Sequence, residues 1–357
     1  MKAIRVNADY ELTLAGKKGS SHLISESLEF IAFYLDERPL STAKKYAPEF
    51  LEHVSFFSGH APQIINTNHY ENWWGPLENI ALEQKINSKE FTAEFDNDCQ
   101  VIRRIEDLKI VDEKVYLAKA ALGMSGQDIV SFRKGDEDKL QSLLGRSGSL
   151  IIEPLYDRRR DFSHYVFPSG ETICYENLVN SGFQYKGTLF TNLHAPVKEG
   201  LRFYSEVPED EWKNFEDHVL RVTQSVRREG AGGGFSLDSF SYQEEGKQKI
   251  RSVSEINYRK TMGLVTWLLS QKFCKGNSWS LLILGKTRSK GSSFEALKNS
   301  IEPVAFNPNS GKGCLLLSPG DTRFEAFFLS ANSHEEGKDL FQKLKQLLPD
   351  TQFTIEI

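Results

Sequence analysis

The chain has 357 residues, 39% hydrophobic and 26% charged, which is enough for a large core and about two or three domains and unlike a disordered segment. Lys and Arg number 44 against 49 Asp and Glu, a formal net charge of −5; this argues against a general nucleic-acid-binding surface, which needs excess positive charge to displace counterions, and leaves room for a local basic pocket. No apolar run approaches the roughly 20 residues that cross a bilayer, so no membrane association is expected. The opening residues, MKAIRVNADYELTLAG, do not read as a signal peptide. Cys99, Cys174, Cys274 and Cys314 are far apart and form no CxxC, which predicts reduced packing thiols, no structural zinc and a cytoplasmic location.

In chain order, HLISESLEFIAFYLD predicts a helix over about 22–36, with Leu23, Ile24, Leu28, Ile31 and Leu35 on one face. Residues 60–80, rich in His, Asn, Trp and Pro, read as a loop or linker in which Trp73 and Trp74 pack as core or interface aromatics, with substrate contact as the alternative. From about 100 to 195 come short apolar runs bounded by glycines and charges, the pattern of strands: KVYLAKAAL, SLIIEPLY, HYVFPSG and ETICYENLV. A helix then begins at Pro208, with Glu209, Asp210 and Glu211 where the helix dipole favours negative charge. Its apolar stripe is Trp212, Phe215, Val219, Val222 and Val226, and Arg227, Arg228 and Gly230 close it. GAGGG at 230–234 predicts a tight or flexible connection. The strand pair FSLDSFSY and KIRSVSEIN and a helix over about 259–273 follow. Strands at SLLILG, GCLLLS and RFEAFFLS then precede a helix opened by the capping pattern of Ser333 and Glu336. The fold class is mixed α/β (α+β).

Three stretches carry chemistry. In GGGFSLDSFSYQEEGKQKIRSVSEINYRKTMG, Glu255 and Asn257 are two apart on a strand and leave the same face. A two-residue turn at Gly246-Lys247 would set Asp238 opposite Glu255 and Ser236 opposite Asn257. Adjacent carboxylates repel unless a cation or proton lies between them, and with an amide oxygen they form hard ligands suited to Mg²⁺ shared with phosphate. A solvated polar sheet face explains the same residues equally well. In YLAKAALGMSGQDI, a strand ending at Lys119 and a loop with Gly123, Ser125 and Gly126 can bring an ammonium and backbone N–H groups to polyphosphate, or serve as a plain hairpin turn. In LIIEPLYDRRRDFSHYV, Glu153-Pro154 ends an apolar strand, and Arg158, Arg159 and Arg160 read as an exposed basic loop.

The order and spacing of KAALGMSG, IIEPLY and SEINYR resemble the ATP-grasp superfamily over roughly residues 85–270. The resemblance implies an ATP-grasp fold with an atypical N-terminal, pre-ATP-grasp-like domain (1–85), an ATP-grasp domain (86–280) and an added C-terminal α+β unit (281–357). It is atypical at the start because the first residues lack an apolar strand and glycine-rich turn. The resemblance also implies that Lys119 binds phosphate oxygens and that Gly123, Ser125 and Gly126 cover them. Glu153 would contact the adenine amino group, with backbone groups of Pro154 and Tyr156 on the ring edge and Asp161 near the ribose. Asp238, Glu255 and Asn257 would hold Mg²⁺, with Mn²⁺ as a substitute, and Arg259 would face the transferred phosphate. Lys89 stands where an earlier phosphate-binding cation is expected, with Arg103 and Arg104 as alternatives. His194, Arg227 and Arg228 are candidate anion contacts, although a helix C-terminus accounts for the two arginines as well.

The activity implied by the resemblance is that of an ATP-dependent ligase, which joins a carboxylate to an amine or other nucleophile through an acyl phosphate and releases ADP and phosphate. The alternatives are a small-molecule kinase on the same scaffold and a non-catalytic nucleotide-binding module. The expected partners are ATP and small-molecule carboxylate and amine substrates, and homodimers are common among enzymes of this size.

Overall fold

The computed structural model describes residues 2–17, 21–111, 114–123, 128–193, 195, 197–287, 293–320, 322 and 324–357. Three sheets organise the chain. The first is parallel and built from very short strands: Ile64–Ile65, Leu40–Ser41, Ala3–Arg5 and Tyr70–Asn72, in that spatial order. Two of these correct the sequence reading. A strand does open the chain, and residues 60–80 contain two strands rather than a plain loop, because strands of two or three residues leave no visible apolar run. The turn after the first strand is fastened by Asn7 instead of by glycines. Asn7 Nδ2 donates to the Gly75 carbonyl (2.8 Å), and its Oδ1 accepts from the N–H groups of Trp74 (2.9 Å) and Gly75 (3.2 Å). The expected helix over 22–36 is broken into Ser21–Leu28 and Ala32–Leu35 by a 3₁₀ turn at Glu29–Ile31. There the buried Glu29 carboxylate accepts from the Thr42 and Tyr46 hydroxyls.

The second sheet is antiparallel, in the order Gln100–Ile102, Leu150–Pro154, Tyr116–Ala120, Ile129–Phe132. Strand alternation sends Tyr116, Ala118 and Ala120 into a core with Leu140 and Leu143 of helix Asp138–Ser147. Leu117 and Lys119 consequently face the other way.

The third sheet has nine strands. Its main path runs Lys247–Asn257, Phe235–Glu244, Asp157–Val166, Thr172–Val179, Tyr185–Phe190, Trp279–Thr287, Glu325–Ala331, Gly313–Leu316. Trp279–Thr287 pairs with Tyr185–Phe190, so the sheet runs without interruption across residue 280 into the C-terminal segment. Helix Glu209–Arg228 covers one part of it with the buried stripe Trp212, Phe215, Val219, Val222 and Val226. Helix Met262–Phe273 is capped by Thr261, whose hydroxyl accepts from the Leu264 N–H. Among the described residues no helix is long and apolar enough to cross a membrane.

The hairpin of Phe235–Glu244 and Lys247–Asn257 sets Asp238 opposite Glu255 and Ser236 opposite Asn257. The route differs from the expected one. The turn is Glu245-Gly246, with φ of 49° and 78°, the positive values of a type I′ turn. That turn alone would leave the register two residues out. A bulge between Asp238 and Phe240, which pairs with Arg251, inserts two extra residues on the second strand and restores the alignment.

Candidate functional site

A cleft of about 530 Å³ lies among the three sheets. Its walls include Trp74 from the N-terminal layer, Lys119 from the second sheet, and Asp238, Glu255 and Asn257 from the hairpin. Residues more than a hundred positions apart in the chain therefore share one solvent space.

The hairpin supplies an acidic centre. Asp238 Oδ1 accepts from the hydroxyls of Ser163 (2.7 Å) and Ser236 (3.2 Å), and Oδ2 accepts from Asn257 Nδ2 (2.9 Å). Burial, and after it the charge of Glu255, push the Asp238 carboxyl up to about 6. Burial works on Glu255 in the same direction, but the Lys89 ammonium, 2.7 Å from Oε1, outweighs it and holds this carboxyl below its ordinary range. The two acids thus differ: one keeps its charge through a protein cation, and the other lacks a comparable counterion. Two carboxylates and an amide are hard oxygen donors, and the strain on Asp238 is what a divalent cation relieves. Among the described residues no group of three or more His, Cys, Asp or Glu gathers around a point. That donor set fits Mg²⁺, which keeps phosphate and water oxygens in its shell.

Cations surround this centre. Lys89 lines the cleft, whereas Arg103 and Arg104 are exposed and paired with Glu90 and Asp107. Lys119 is buried and its Nζ lies 2.5 Å from Glu153. Arg259 donates to Glu11 Oε1 (2.6 and 2.9 Å) and to Asn257 Oδ1 (2.9 Å), 6.0 Å from the Trp74 ring centre. Asp161 also lines the cleft and is ion-paired with Arg158.

Other expected residues stand elsewhere. Glu153, Pro154, Tyr156 and Gly123 are not part of the cleft wall. Glu153 is engaged by Lys119 and by Arg251 (3.5 Å), and these cations outweigh its burial and keep its carboxyl below the ordinary range. The Tyr156 hydroxyl donates to Asp98 and accepts from Arg251. Arg227 donates to the carbonyls of Ala231, Gly233 and Phe167, which fastens the glycine-rich connection; Arg228 is exposed at the helix end. Ser125, Gly126 and His194 lie outside the described residues.

The cleft also contains groups that the sequence reading passed over. Arg158 belongs to a strand, not to an exposed loop, and its guanidinium lies 3.9 Å over the Phe240 ring and 4.9 Å from that of Phe183. Ser163 and Asn177 come from neighbouring strands, with Asn177 Nδ2 2.5 Å from the Ser163 hydroxyl. Glu11 comes from helix Tyr10–Leu14. Alternation from Asp161 points to Ser163; nothing local points to Glu11.

No family model and no curated protein matches the chain. Several solved structures do match. N5-Carboxyaminoimidazole synthetase from Staphylococcus aureus, complexed with ADP, is similar over 96% of each chain, with a TM-score of 0.52 and 12% identity. N5-Carboxyaminoimidazole ribonucleotide synthetase from Thermus thermophilus is similar over 97% of this chain and 98% of its own, with a TM-score of 0.51 and 14% identity. Biotin carboxylase from Campylobacter jejuni, in a β,γ-ATP complex, is similar over 97% of this chain and 88% of its own, with a TM-score of 0.50 and 10% identity. At these identities the likeness is one of overall fold.

Proposed function

We propose that this chain, which has the ATP-grasp fold, is an ATP-dependent ligase joining a carboxylate to an amine or other nucleophile. The observation that carries the reading is the meeting of Asp238, Glu255 and Asn257 with Lys89, Lys119 and Arg259 around one cleft. Phosphoryl transfer asks for alignment and for cations on the phosphate oxygens, and little covalent work from the protein.

In this reading Lys89 and Lys119 exchange their carboxylate partners for phosphate oxygens when ATP enters. Arg259, steadied by Glu11, faces the transferred group. Asp238, Glu255 and Asn257 hold Mg²⁺, which neutralises charge on the triphosphate when bound. A substrate carboxylate oxygen attacks the γ-phosphorus, the bond from that phosphorus to the β,γ-bridging oxygen breaks, and ADP leaves. An amine then attacks the acyl carbon, the C–O bond to phosphate breaks, and the amine proton passes to solvent as phosphate departs.

ADP release measured with and without paired carboxylate and amine acceptors tests the reading. Release that requires both acceptors, without a stable phosphorylated product, is expected; a stable phosphorylated hydroxyl compound would identify a kinase. Glu255→Gln is expected to lower turnover at least about a hundredfold while circular dichroism stays unchanged. Near-normal ADP release by that variant would remove Glu255 from the metal set.

A further inference from the structure

The cations of the cleft fall into two groups. Around the acidic centre each is matched by a carboxylate: Lys89 by Glu255, Lys119 by Glu153, Arg158 by Asp161 and Arg259 by Glu11. Lys186 and Lys286 also line the cleft, and among the described residues neither side chain has an ion pair or hydrogen bond. The four carboxylates of the wall, Glu11, Asp161, Asp238 and Glu255, are all engaged elsewhere.

These two lysines share a place as well as a charge. Tyr185–Phe190 pairs antiparallel with Trp279–Thr287, and Gly187 stands opposite Ile283. The pairing stops at Gly187, and Lys186 is the extra residue of a bulge that faces Leu178 and Val179; Lys186 and Lys286 thus come from adjoining strands, and both line the cleft. Lys186 is half-buried and Lys286 is exposed. The cleft wall also carries the apolar side chains of Val179, Met262 and Leu284. Two like charges on adjoining strands repel each other, and a strand pair that keeps them in a cleft with no partner acid among the described residues leaves the counterion to a ligand.

We propose that the acceptor carries a second anionic group, a carboxylate or a phosphate monoester, besides the carboxylate that is activated, and that Lys186 and Lys286 hold it. The inference deepens the ligase reading and rests on it for the identity of the cleft.

Isothermal titration of acetate, succinate and 3-phosphoglycerate into protein saturated with Mg²⁺ and a non-hydrolysable ATP analogue tests the assignment. The same titrations are made on nucleotide-free protein. Succinate or 3-phosphoglycerate is expected to bind at least about tenfold more tightly than acetate, and the tighter of the two distinguishes a dicarboxylate from a phosphorylated acid. Lys186→Gln with Lys286→Gln is expected to abolish that preference and leave the affinity for the ATP analogue unchanged; matching thermal melts verify the fold. Equal affinities for the three acids, or a double variant that keeps the preference, would overturn the proposal. Failure of the ATP analogue to bind would instead overturn the ligase reading, and the nucleotide-free titrations would still decide the lysines.

Discussion

Of the two facing carboxylates, Asp238 is the less compensated. Its oxygens accept from two hydroxyls and an amide, whereas Glu255 beside it has the Lys89 ammonium. Burial and the Glu255 charge push its carboxyl up to about 6, so the folded state binds its proton more tightly than the unfolded chain does. The stabilisation that this proton brings is full at acid pH, below the unfolded value, and is lost as the pH rises through about 6. In the nucleotide-free protein the melting temperature of the wild type, taken relative to Asp238→Asn, is therefore expected to fall between pH 4 and pH 7. Metal-dependent nucleotide affinity is expected to run in the opposite sense and strengthen over the same interval, because an ionised carboxylate is the better ligand. A melting difference that is flat or rises with pH would show that Asp238 is not strained by its surroundings.

At the scale of elements, the late hairpin shows how local rules and their interruption together build the site. Alternation puts Glu255 and Asn257 on one face, and a two-residue turn makes a partner for them on the preceding strand readable from spacing alone. The turn itself is not readable. Glu245 sits at a positive φ that glycine or asparagine would occupy at less cost, and the two-residue bulge beside Asp238 has no compositional mark. Two departures from the simple hairpin cancel, and the acidic pair is aligned either way. Arg158 was hidden for a related reason: three consecutive arginines show no period-two pattern, although they lie in strand Asp157–Val166. Lys186 and Lys286 become neighbours only through a strand pairing a hundred positions apart, which no local pattern encodes. Because Glu245 sits at a φ of 49° in this turn, Glu245→Asn is expected to raise stability by about 0.5 kcal/mol in urea denaturation, since asparagine tolerates the left-handed region. A loss of stability would place the turn at Gly246-Lys247 instead.

Across the whole molecule, the segment that follows Asn257 joins the N-terminal layer to the large sheet. The Tyr258 N–H donates to Asn87 Oδ1, and Lys260 donates to the Trp74 carbonyl through its N–H and to the Trp73 carbonyl through Nζ. Between these bonds Arg259 meets Glu11, both of them largely buried. The N-terminal layer thus does more than cover the cleft, because it fixes the arginine that the proposed chemistry places at the phosphate. A buried ion pair also sets a characteristic trap: losing one partner leaves a charge without compensation, whereas losing both leaves an apolar gap that can be filled. Glu11→Ala is accordingly expected to cost about 3 kcal/mol in urea denaturation, and Glu11→Ala combined with Arg259→Met to recover a substantial part of it. Fully additive losses in the double variant would mean that the two side chains act independently and that the N-terminal layer is not held through this pair.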